Sequence, residues 1–515
     1  MKTAQKLQQE NAKLRAEIQA KDELLIQKSN DIQVKEKQLK NQTADIKAKE
    51  QQLKDKIAYI QNLEAALIEL KKHRFGASSE KQNANDAQVA LFNEAEVLTE
   101  PKAKKGKKKK SGKRKPLPKT LEREDKVYKP EQTTCPHDGT ELTYIGDEVS
   151  EQLQFIPAEI KVIRHKRHKM ACPKCNKYIV TADKPSDPIP KSIASPELLS
   201  YITVSKYADG LPLYRLSQMF KRLDISISRT NMADWMIKCG SLIQPLINLL
   251  EDKLLDQPVM HIDETTVQVL KEPGKKASSK SYFWVRRSNN IILFDYSSSR
   301  SSQVANQLAA DFKGTIMCDG YGGYDQLQQN MLGCWAHARR YFIKVLDQSE
   351  HQGARKIVQL IAELYQVEKQ TKDDPPDKRQ RIRQDKSAGI LEKIKALKDD
   401  SLQTCTPTST FGKALGYLHN QWPKLIGYIE DGRYPIDNNP AENAIRPFVI
   451  GRKNWLFANS QNGAKASANL YGLIETAKAH GLNPEKYLTE IYRQLPNCET
   501  PEQYEQLLPG NIQLD

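Results

Sequence analysis

Acidic residues follow two apolar, strand-like segments in the middle of the 515-residue chain. Asp263, with Glu264 beside it, lies in PVMHIDETTVQVL (258–270), and Asp319 follows the apolar part of GTIMCDGYGGY (314–324). Each acid alone could be an ordinary cap or turn residue. Two carboxylates at one edge of an apolar sheet repel each other unless a cation lies between them, so the pair predicts a divalent-cation site.

A third candidate carboxylate occurs late in the chain, in IDNNPAENAIRP (436–447). Asn439 is expected to be the N-cap of a helix, with Pro440 at its first position and Glu442 at its third. Glu442 could then be a metal ligand. It could also serve only in a capping box, where its side chain accepts a hydrogen bond from the backbone. The residues alone leave both interpretations open.

Basic and aromatic residues flank the acids in two segments, CWAHARR (334–340) and GRKNW (451–455). The first is expected to be helical, which places His337 beside Arg340. The candidate DNA contacts here are Trp335, His337, Arg339, Arg340, Arg446, Arg452 and Lys453. Such residues clamp phosphates and stack on unpaired bases. Alternatively, both Trp side chains are core residues and the Arg side chains are solvated.

Three cysteines suggest a small metal module. Cys135 opens CPHDG, and Cys172 and Cys175 form a Cys-x-x-Cys pair after a segment of strand-like alternation. This is the design of a structural zinc ribbon, which needs four ligands. The candidates for the fourth ligand are Asp138, His137, His165 and His168. A degenerate ribbon that has lost its metal is the alternative.

The elements around the acids indicate a specific α/β order. Strands are predicted at 258–270, at SYFWVRRS and at NNIILFDYSS, followed by a helix over 301–312 and a strand that ends at Asp319. Three strands, a helix and a returning strand match the start of a ribonuclease-H-like fold, in which acids on the first and fourth strands lie side by side. The long charged, helical interval before Glu442 predicts an insertion into that fold.

Residues 196–250 have the apolar periodicity of helices, interrupted at DISIS. With Ser228 or Thr230 as the N-cap of the second segment, this break predicts a helix-turn-helix. Arg222 and Arg229 adjoin the break and are the candidate phosphate contacts. Many helical subdomains share this pattern, so by itself it is weak evidence for DNA binding.

The first 72 residues contain neither Pro nor Gly. An aliphatic residue recurs there at every seventh position: Ile18, Leu25, Ile32, Leu39, Ile46, Leu53, Ile60 and Leu67. This period predicts a coiled coil through which chains self-associate, at least as a dimer. The second seam of the heptad is polar over its middle, so the association is expected to be weak. A lone charged helix is the alternative.

Most of the formal net charge of +16 is carried by KAKKGKKKKSGKRK (102–115), which holds nine Lys, one Arg and no acid. Like charges and the lack of apolar residues predict a linker here, and the charge favours polyanionic partners. The run could contact DNA, with an affinity that falls steeply with salt, or serve as a solubilising or localising tail.

Several classes of protein are excluded by composition. There is no run of about 18 apolar residues and therefore no expected membrane span or membrane partner. The N-terminal MKTAQKLQQENAK lacks the apolar core of a signal peptide. Eight Cys in a chain of this length do not make a disulfide scaffold. We therefore expect a cytoplasmic protein, associated with the nucleoid if it binds DNA.

Seven motifs occur in one order between about residues 73 and 490: HRFGASSEK, KYADGLPLYR, HIDET, CDGYGGY, GCWAHARRYF, IDNNPAENAIRP and GRKNWLFANS. Together they resemble the Insertion Sequence Sixty-Six family of bacterial Asp-Asp-Glu transposases. The resemblance implies that Asp263, Asp319 and Glu442 form a catalytic triad that holds two Mg²⁺ or Mn²⁺ ions. It departs at Asp138, where the family usually has Cys, and this puts zinc binding in question.

The resemblance also implies a function. Such a protein binds the terminal inverted repeats of its element in double-stranded DNA, cleaves strands at the ends and joins the 3′-OH to target DNA, with or without accessory proteins of the same element. A catalytically inactive or accessory DNA-binding protein derived from a transposase is the alternative. A generic ribonuclease-H-like nuclease would not need the long DNA-binding front half.

We therefore predict a multidomain, mainly α-helical protein. Its α/β ribonuclease-H-like catalytic core carries a helical insertion, and an N-terminal coiled coil and a small zinc-ribbon-like β module precede it. The predicted domains are a coiled-coil helix (1–72), a linker with the basic run (73–130), the zinc-ribbon-like module (131–182), a helix-turn-helix-like region (183–252), the first part of the core (253–345), the insertion (346–430), the second part of the core (431–475) and a C-terminal helical extension (476–515).

Overall fold

The computed structural model describes residues 160–171 and 179–514, together with scattered helical positions between residues 12 and 56. The chain divides into two compact units, one of residues 1–100 with 186–515 and one of residues 101–185. In the described part of the chain, no helix combines the length and the apolarity that crossing a membrane requires. The predicted linker and the Lys-rich run lie outside the described residues.

The smaller unit contains a short hairpin. Strand β1 (Lys169–Ala171) pairs antiparallel with β2 (Ile179–Thr181), and the Ala182 N–H donates to the His168 carbonyl at 3.0 Å. The cysteines Cys172 and Cys175 come between these strands in sequence and lie outside the described residues. Cys135, His137 and Asp138 also lie outside the described residues, so the ligand set predicted for zinc stays a prediction.

Within the described residues 179–514, four helices precede the sheet of the larger unit. They are α1 (Pro196–Tyr207), α2 (Leu213–Lys221), α3 (Arg229–Leu242) and α4 (Gln244–Leu255). Ser228 is the N-cap of α3, since its hydroxyl accepts from the Asn231 N–H at 3.1 Å. Apolar residues of these helices, among them Leu199 and Leu254, belong to the same core as the strands that follow.

The larger unit contains one mixed sheet. Its strands are β3 (Val259–Lys271), β4 (Lys280–Ser288), β5 (Ile291–Ser297), β6 (Thr315–Cys318), β7 (Met331–Gly333) and β8 (Ala458–Ser460). Their order is β5-β4-β3-β6-β7, and β8 pairs with the far end of β3. The first three strands form an antiparallel meander, whereas β6 and β7 run parallel to β3. Helix α5 (Ser302–Ala309) connects β5 to β6, so the elements occur in the predicted order.

Helices between the sheet and Glu442 form a group of their own, called the insertion below; its first helix begins at Trp335, before the predicted boundary at residue 346. They are α6 (Trp335–Leu346), α7 (Gln352–Gln370), α8 (Pro376–Ile382), a π-helical turn (Arg383–Ser387), α9 (Ala388–Thr404) and α10 (Thr410–Ile426). They bury a hydrophobic cluster of their own, with Phe342, Ile361 and Leu415 at its centre. This core is separate from that of the sheet.

The first of the last four described helices carries the third acid, Glu442. They are α11 (Asn439–Trp455), α12 (Gln461–Ala479), α13 (Pro484–Gln494) and α14 (Pro501–Gln506). The N-cap of α11 is Asn438, one residue before the predicted Asn439, and its side chain does not cap the helix. The prediction of Asn439 as the N-cap was therefore wrong by one residue. The Asn438 side chain does not cap the helix because its amide is bonded to β3 instead.

Every described position between residues 12 and 56 is helical and exposed. Leu39 and Ile46, two members of the heptad stripe, are 66% and 58% exposed. The helix therefore agrees with the sequence, while the coiled coil stays a prediction.

Candidate active site

The pairing of β3 with β6 brings Asp263 and Asp319 to neighbouring positions. The parallel register of β3 and β6 pairs His261 with Met317. Asp263 lies two residues further along β3, and Asp319 is the residue that follows the end of β6. The two acids are therefore neighbours at the edge where β6 ends, as the sequence predicts.

The pKa of the Asp263 carboxyl reflects the acids around it. Burial raises the pKa of the Asp263 carboxyl well above its usual range, and the charges of Asp319, Glu264 and Glu442 raise it further. The ionised form is thus disfavoured by neighbours of the same sign. A divalent cation bound among these oxygens would reverse the penalty, so the residues present fit a hard metal ion.

Glu442 is buried and faces the insertion. Both of its carboxylate oxygens lie 2.6 Å from the same nitrogen, Nη2 of Arg340 on α6. It occupies the fourth position of α11, and its carboxylate is hydrogen-bonded to Arg340. The capping-box alternative therefore does not hold.

His337 lies beside both Glu442 and Arg340. Its Nδ1 lies 3.6 Å from Glu442 Oε1, and its Nε2 lies 3.1 Å from Arg340 Nη1. Burial lowers the pKa of His337, and the positive charge of Arg340 lowers it further. The imidazole is therefore neutral at neutral pH. Helical spacing had placed His337 and Arg340 together, and the structure confirms it.

Glu264 has a different role from its neighbour Asp263. Its carboxylate accepts hydrogen bonds from the Tyr324 hydroxyl and from Arg300 Nε. The Arg300 guanidinium lies 3.6 Å from the centre of the Tyr321 ring. Glu264 therefore fixes the loop that follows Asp319. Sequence reasoning missed Arg300 and Tyr324, and the only available signal was the two tyrosines of CDGYGGY.

Asn438 was also missed. It is fully buried between three elements: its Oδ1 lies 2.9 Å from His261 Nδ1, its Nδ2 donates to the Ile262 carbonyl at 2.9 Å, and its backbone N–H donates to Cys334 Sγ at 3.2 Å. The Ile262 carbonyl fixes which end of the amide is the donor, so Oδ1 accepts from a His261 Nδ1–H. Its place directly before Asn439 in IDNN gave no sign of these contacts.

Among the described residues, Cys334, His337 and Glu442 bring potential metal-ligating atoms within 4.8 Å of one another. Burial raises the pKa of the Cys334 thiol, so it stays protonated. Its sulfur already accepts the Asn438 N–H. Mg²⁺ and Mn²⁺ prefer carboxylate oxygens, so the acids suit these ions better than this mixed group does.

Two of the predicted DNA contacts are buried. Trp335 is 0% exposed, and its indole N–H donates to the Leu425 carbonyl at 2.8 Å. Arg339, one helical turn later on the same face of α6, is 2% exposed. Neither side chain can reach a nucleic acid from this position, so the core alternative is correct for Trp335. The prediction of direct contact is corrected for both residues.

The remaining candidates differ in accessibility. Arg222, Arg229 and Lys453 are exposed, and Arg446 is half-buried with Nη2 donating to Asn443 Oδ1 at 2.9 Å. Arg452 instead ties α11 to β3, because its Nη1 donates to the Thr266 carbonyl. Burial lowers the pKa of Arg452, although not enough to remove its charge at neutral pH.

Trp455, whose role the sequence left open, is half-buried. Its ring packs edge-on against Phe448 at 5.5 Å between centroids, and the Lys206 ammonium lies 5.2 Å from it. It is therefore chiefly a packing residue at the end of α11.

The structure combines a mixed sheet with two neighbouring acids, a third acid on a later helix and a helical insertion between them. These features define an α/β protein with three candidate metal-binding carboxylates. The model of the Transposase IS66 family matches residues 191–466, which is more than half of the chain. The chain belongs to this family.

Three further models of the same family cover other parts of the chain. The zinc-finger binding domain of transposase IS66 matches residues 132–176, which include the three cysteines and Asp138. The model described as Transposase C of IS166 homeodomain matches residues 62–125, and the IS66 C-terminal element matches residues 472–509.

Curated relatives come from Sinorhizobium fredii. The uncharacterized protein y4qI is 30% identical, with 88% of this chain and 90% of that protein covered. The uncharacterized protein y4jD is also 30% identical, over 78% of this chain and 82% of that protein. The uncharacterized protein y4hP is 26% identical over 77% and 76%.

Proposed function

We propose that this transposase is an active Asp-Asp-Glu polynucleotidyl transferase with a ribonuclease-H-like core. Its catalytic residues are Asp263, Asp319 and Glu442. The observation that carries the proposal is geometric: β3 and β6 pair in parallel just before Asp263 and Asp319, and Asn438 at the start of α11 bonds to His261 and Ile262 of β3. Three separate segments of the chain bring these acids together, at an energetic cost that a divalent-cation site would repay.

The three carboxylates would hold two Mg²⁺ or Mn²⁺ ions. When bound, such ions activate the attacking oxygen and stabilise the leaving oxygen of an in-line displacement. The chain supplies the positions of the ligands: β3 and β6 fix Asp263 and Asp319, and α11 brings in Glu442.

The reaction has two balanced steps. Water attacks the phosphorus at an end of the element and the P–O3′ bond breaks, which leaves a 3′-OH and a 5′-phosphate. The 3′-OH then attacks a phosphodiester of the target strand and displaces its 3′-oxygen, so one bond forms for each bond that breaks. No covalent bond to the protein is required.

DNA binding would use the exposed cations. Arg222 and Arg229 flank the connection between α2 and α3, and Lys453 lies near the end of α11. With Arg446 and the Lys-rich run, they would contact phosphates of double-stranded DNA. The zinc-finger region would hold one structural Zn²⁺ through Cys135, Cys172 and Cys175, with Asp138 or a nearby His as the fourth ligand. Acting on chromosomal DNA places the protein in the cytoplasm at the nucleoid.

The test uses purified full-length protein and duplexes made from the DNA that flanks its gene on each side. With MgCl₂ we expect strand cleavage that leaves a 3′-OH and, when plasmid DNA is added, joining of that end to the plasmid. Chelation with EDTA should abolish both reactions. Tight, metal-independent binding of the same duplexes without cleavage would support the accessory DNA-binding protein instead.

A further inference from the structure

One side chain already occupies the position of a cation at the candidate site. Nη2 of Arg340 lies 2.6 Å from Oε1 and 2.6 Å from Oε2 of Glu442. A single guanidinium nitrogen therefore engages both carboxylate oxygens, which are the atoms that a metal ion would need.

The pair joins a buried carboxylate to a more exposed cation. The Glu442 side chain is 7% exposed, whereas the Arg340 side chain is 22% exposed and therefore has a route to solvent. The other terminal nitrogen of Arg340, Nη1, lies 3.1 Å from His337 Nε2. Arg339, its neighbour in sequence, is buried in the insertion and has no such freedom.

Electrostatic repulsion makes Arg340 and a divalent ion alternative partners of Glu442. Glu442 has two oxygens, and Arg340 engages both of them. A divalent ion on the same oxygens would lie against the guanidinium, and like charges at such a distance repel strongly in a partly buried site. This repulsion favours departure of Arg340 when a metal ion binds Glu442.

We infer that Arg340 is a built-in counter-cation, which holds Glu442 in the metal-free protein and is displaced when the ion binds. This inference rests on the proposed triad. The displaced guanidinium stays on α6 beside the site. Its planar donors suit a phosphate oxygen of the DNA, so the residue acts on Glu442 in one state and on substrate in the other.

The inference predicts an unusual result for a variant. Arg340→Gln removes the competing cation, so divalent ions should bind more tightly to the DNA-free protein. A coupling of this kind is worth on the order of tenfold in affinity. The same variant should cleave DNA more slowly, because the phosphate contact is lost.

Isothermal titration of the full-length protein with MnCl₂ tests this directly. Arg340→Gln should bind Mn²⁺ about tenfold more tightly than the unsubstituted chain, and Glu442→Gln should lose that binding. Arg355→Gln is the matched control, since Arg355 pairs with the exposed Glu350 elsewhere on the insertion. It should leave Mn²⁺ affinity unchanged.

Unchanged or weaker Mn²⁺ binding by a folded Arg340→Gln protein would overturn the inference. If that variant does not fold, Arg340→Lys replaces it: its single ammonium engages Glu442 less firmly, so affinity above that of the unsubstituted chain supports the inference and equal or lower affinity overturns it. If Glu442→Gln binds Mn²⁺ as the unsubstituted chain does, the proposed triad itself fails. Loss of binding in Glu442→Gln with no gain in Arg340→Gln refutes the exchange alone.

Discussion

Asp263 shows how a residue proposed to be catalytic can lower the stability of the protein that carries it. Burial and the charges of Asp319, Glu264 and Glu442 hold the pKa of its carboxyl well above the usual range. Between its ordinary pKa and this raised pKa, the folded chain binds more protons than the unfolded chain does. Stability therefore falls as pH rises through this interval. Arg340 offsets part of the repulsion through Glu442 but does not contact Asp263.

Asp263→Asn should therefore stabilise the metal-free protein at pH 7. The amide keeps the shape of the side chain and removes the charge that the site disfavours. The free energy of unfolding in urea with EDTA should exceed that of the unsubstituted chain at pH 7, and the difference should shrink toward pH 4, where the carboxyl is protonated in the folded state.

Asp325→Asn is the control, because Asp325 follows Asp319 in the same loop, is 59% exposed and pairs with Lys424. It should not stabilise the protein. If Asp263→Asn destabilised the metal-free chain at pH 7, the acids would not repel one another as described.

At the scale of elements, α6 combines two functions on two faces. Trp335, Ala338, Phe342 and Val345 are buried in the core of the insertion, whereas His337 and Arg340 face Glu442. The 3.6-residue period of the apolar residues could have revealed this division from sequence. The basic-aromatic composition of CWAHARR instead suggested that the whole segment faces DNA, and composition does not show which face a residue occupies.

Asn438 joins three elements, since it begins α11 and bonds both to β3 and to Cys334, the residue before α6. Burial lowers the pKa of His261 to about 4, so the ring that it contacts is neutral. Helix periodicity could place α11 approximately but not its first residue, because the side chain of Asn438 bonds to a strand far away in sequence.

Asn438→Ala should lower the free energy of unfolding by about 1–3 kcal/mol, since it leaves the Ile262 carbonyl and the His261 N–H buried without a partner. It should also weaken Mn²⁺ binding, because Asn438 sets the position of α11 relative to β3. Urea denaturation and titration with MnCl₂ measure the two effects.

Asn443→Ala is the matched control on the same helix: Asn443 is exposed and accepts only from Arg446. Both quantities should stay as in the unsubstituted chain. Equal Mn²⁺ affinity in Asn438→Ala would reduce Asn438 to a purely structural residue.

At the scale of the whole molecule, sequence predicted the order of elements well and their burial poorly. Apolar runs and turn residues gave β3 to β6, α5 and the insertion, because these signals are local. The bonds of Arg340, Asn438 and Glu264 depend on residues distant in sequence, and no local pattern encodes them. The family motifs named the three acids without showing what surrounds them.

The heptad stripe gives a prediction at the same scale. Leu39 and Ile46 are exposed in the single chain, and burial in a second chain would stabilise both. Deleting residues 1–72 should leave a folded protein that binds one DNA end, sediments as a smaller species and forms few complexes with two ends. A gel-shift assay with two differently labelled ends measures this. Full pairing by the truncated chain would assign the helix another role.

The central claim is that Asp263, Asp319 and Glu442 form one catalytic site. The most direct measurement is the rate of Mg²⁺-dependent cleavage of an element end by Asp263→Asn, Asp319→Asn and Glu442→Gln, with Asp325→Asn as the control. Each triad variant should cleave at least about 100-fold more slowly, since removal of a metal ligand withdraws several kcal/mol of transition-state stabilisation, while DNA binding is retained. Cleavage by any triad variant at the rate of Asp325→Asn would contradict the assignment of that residue.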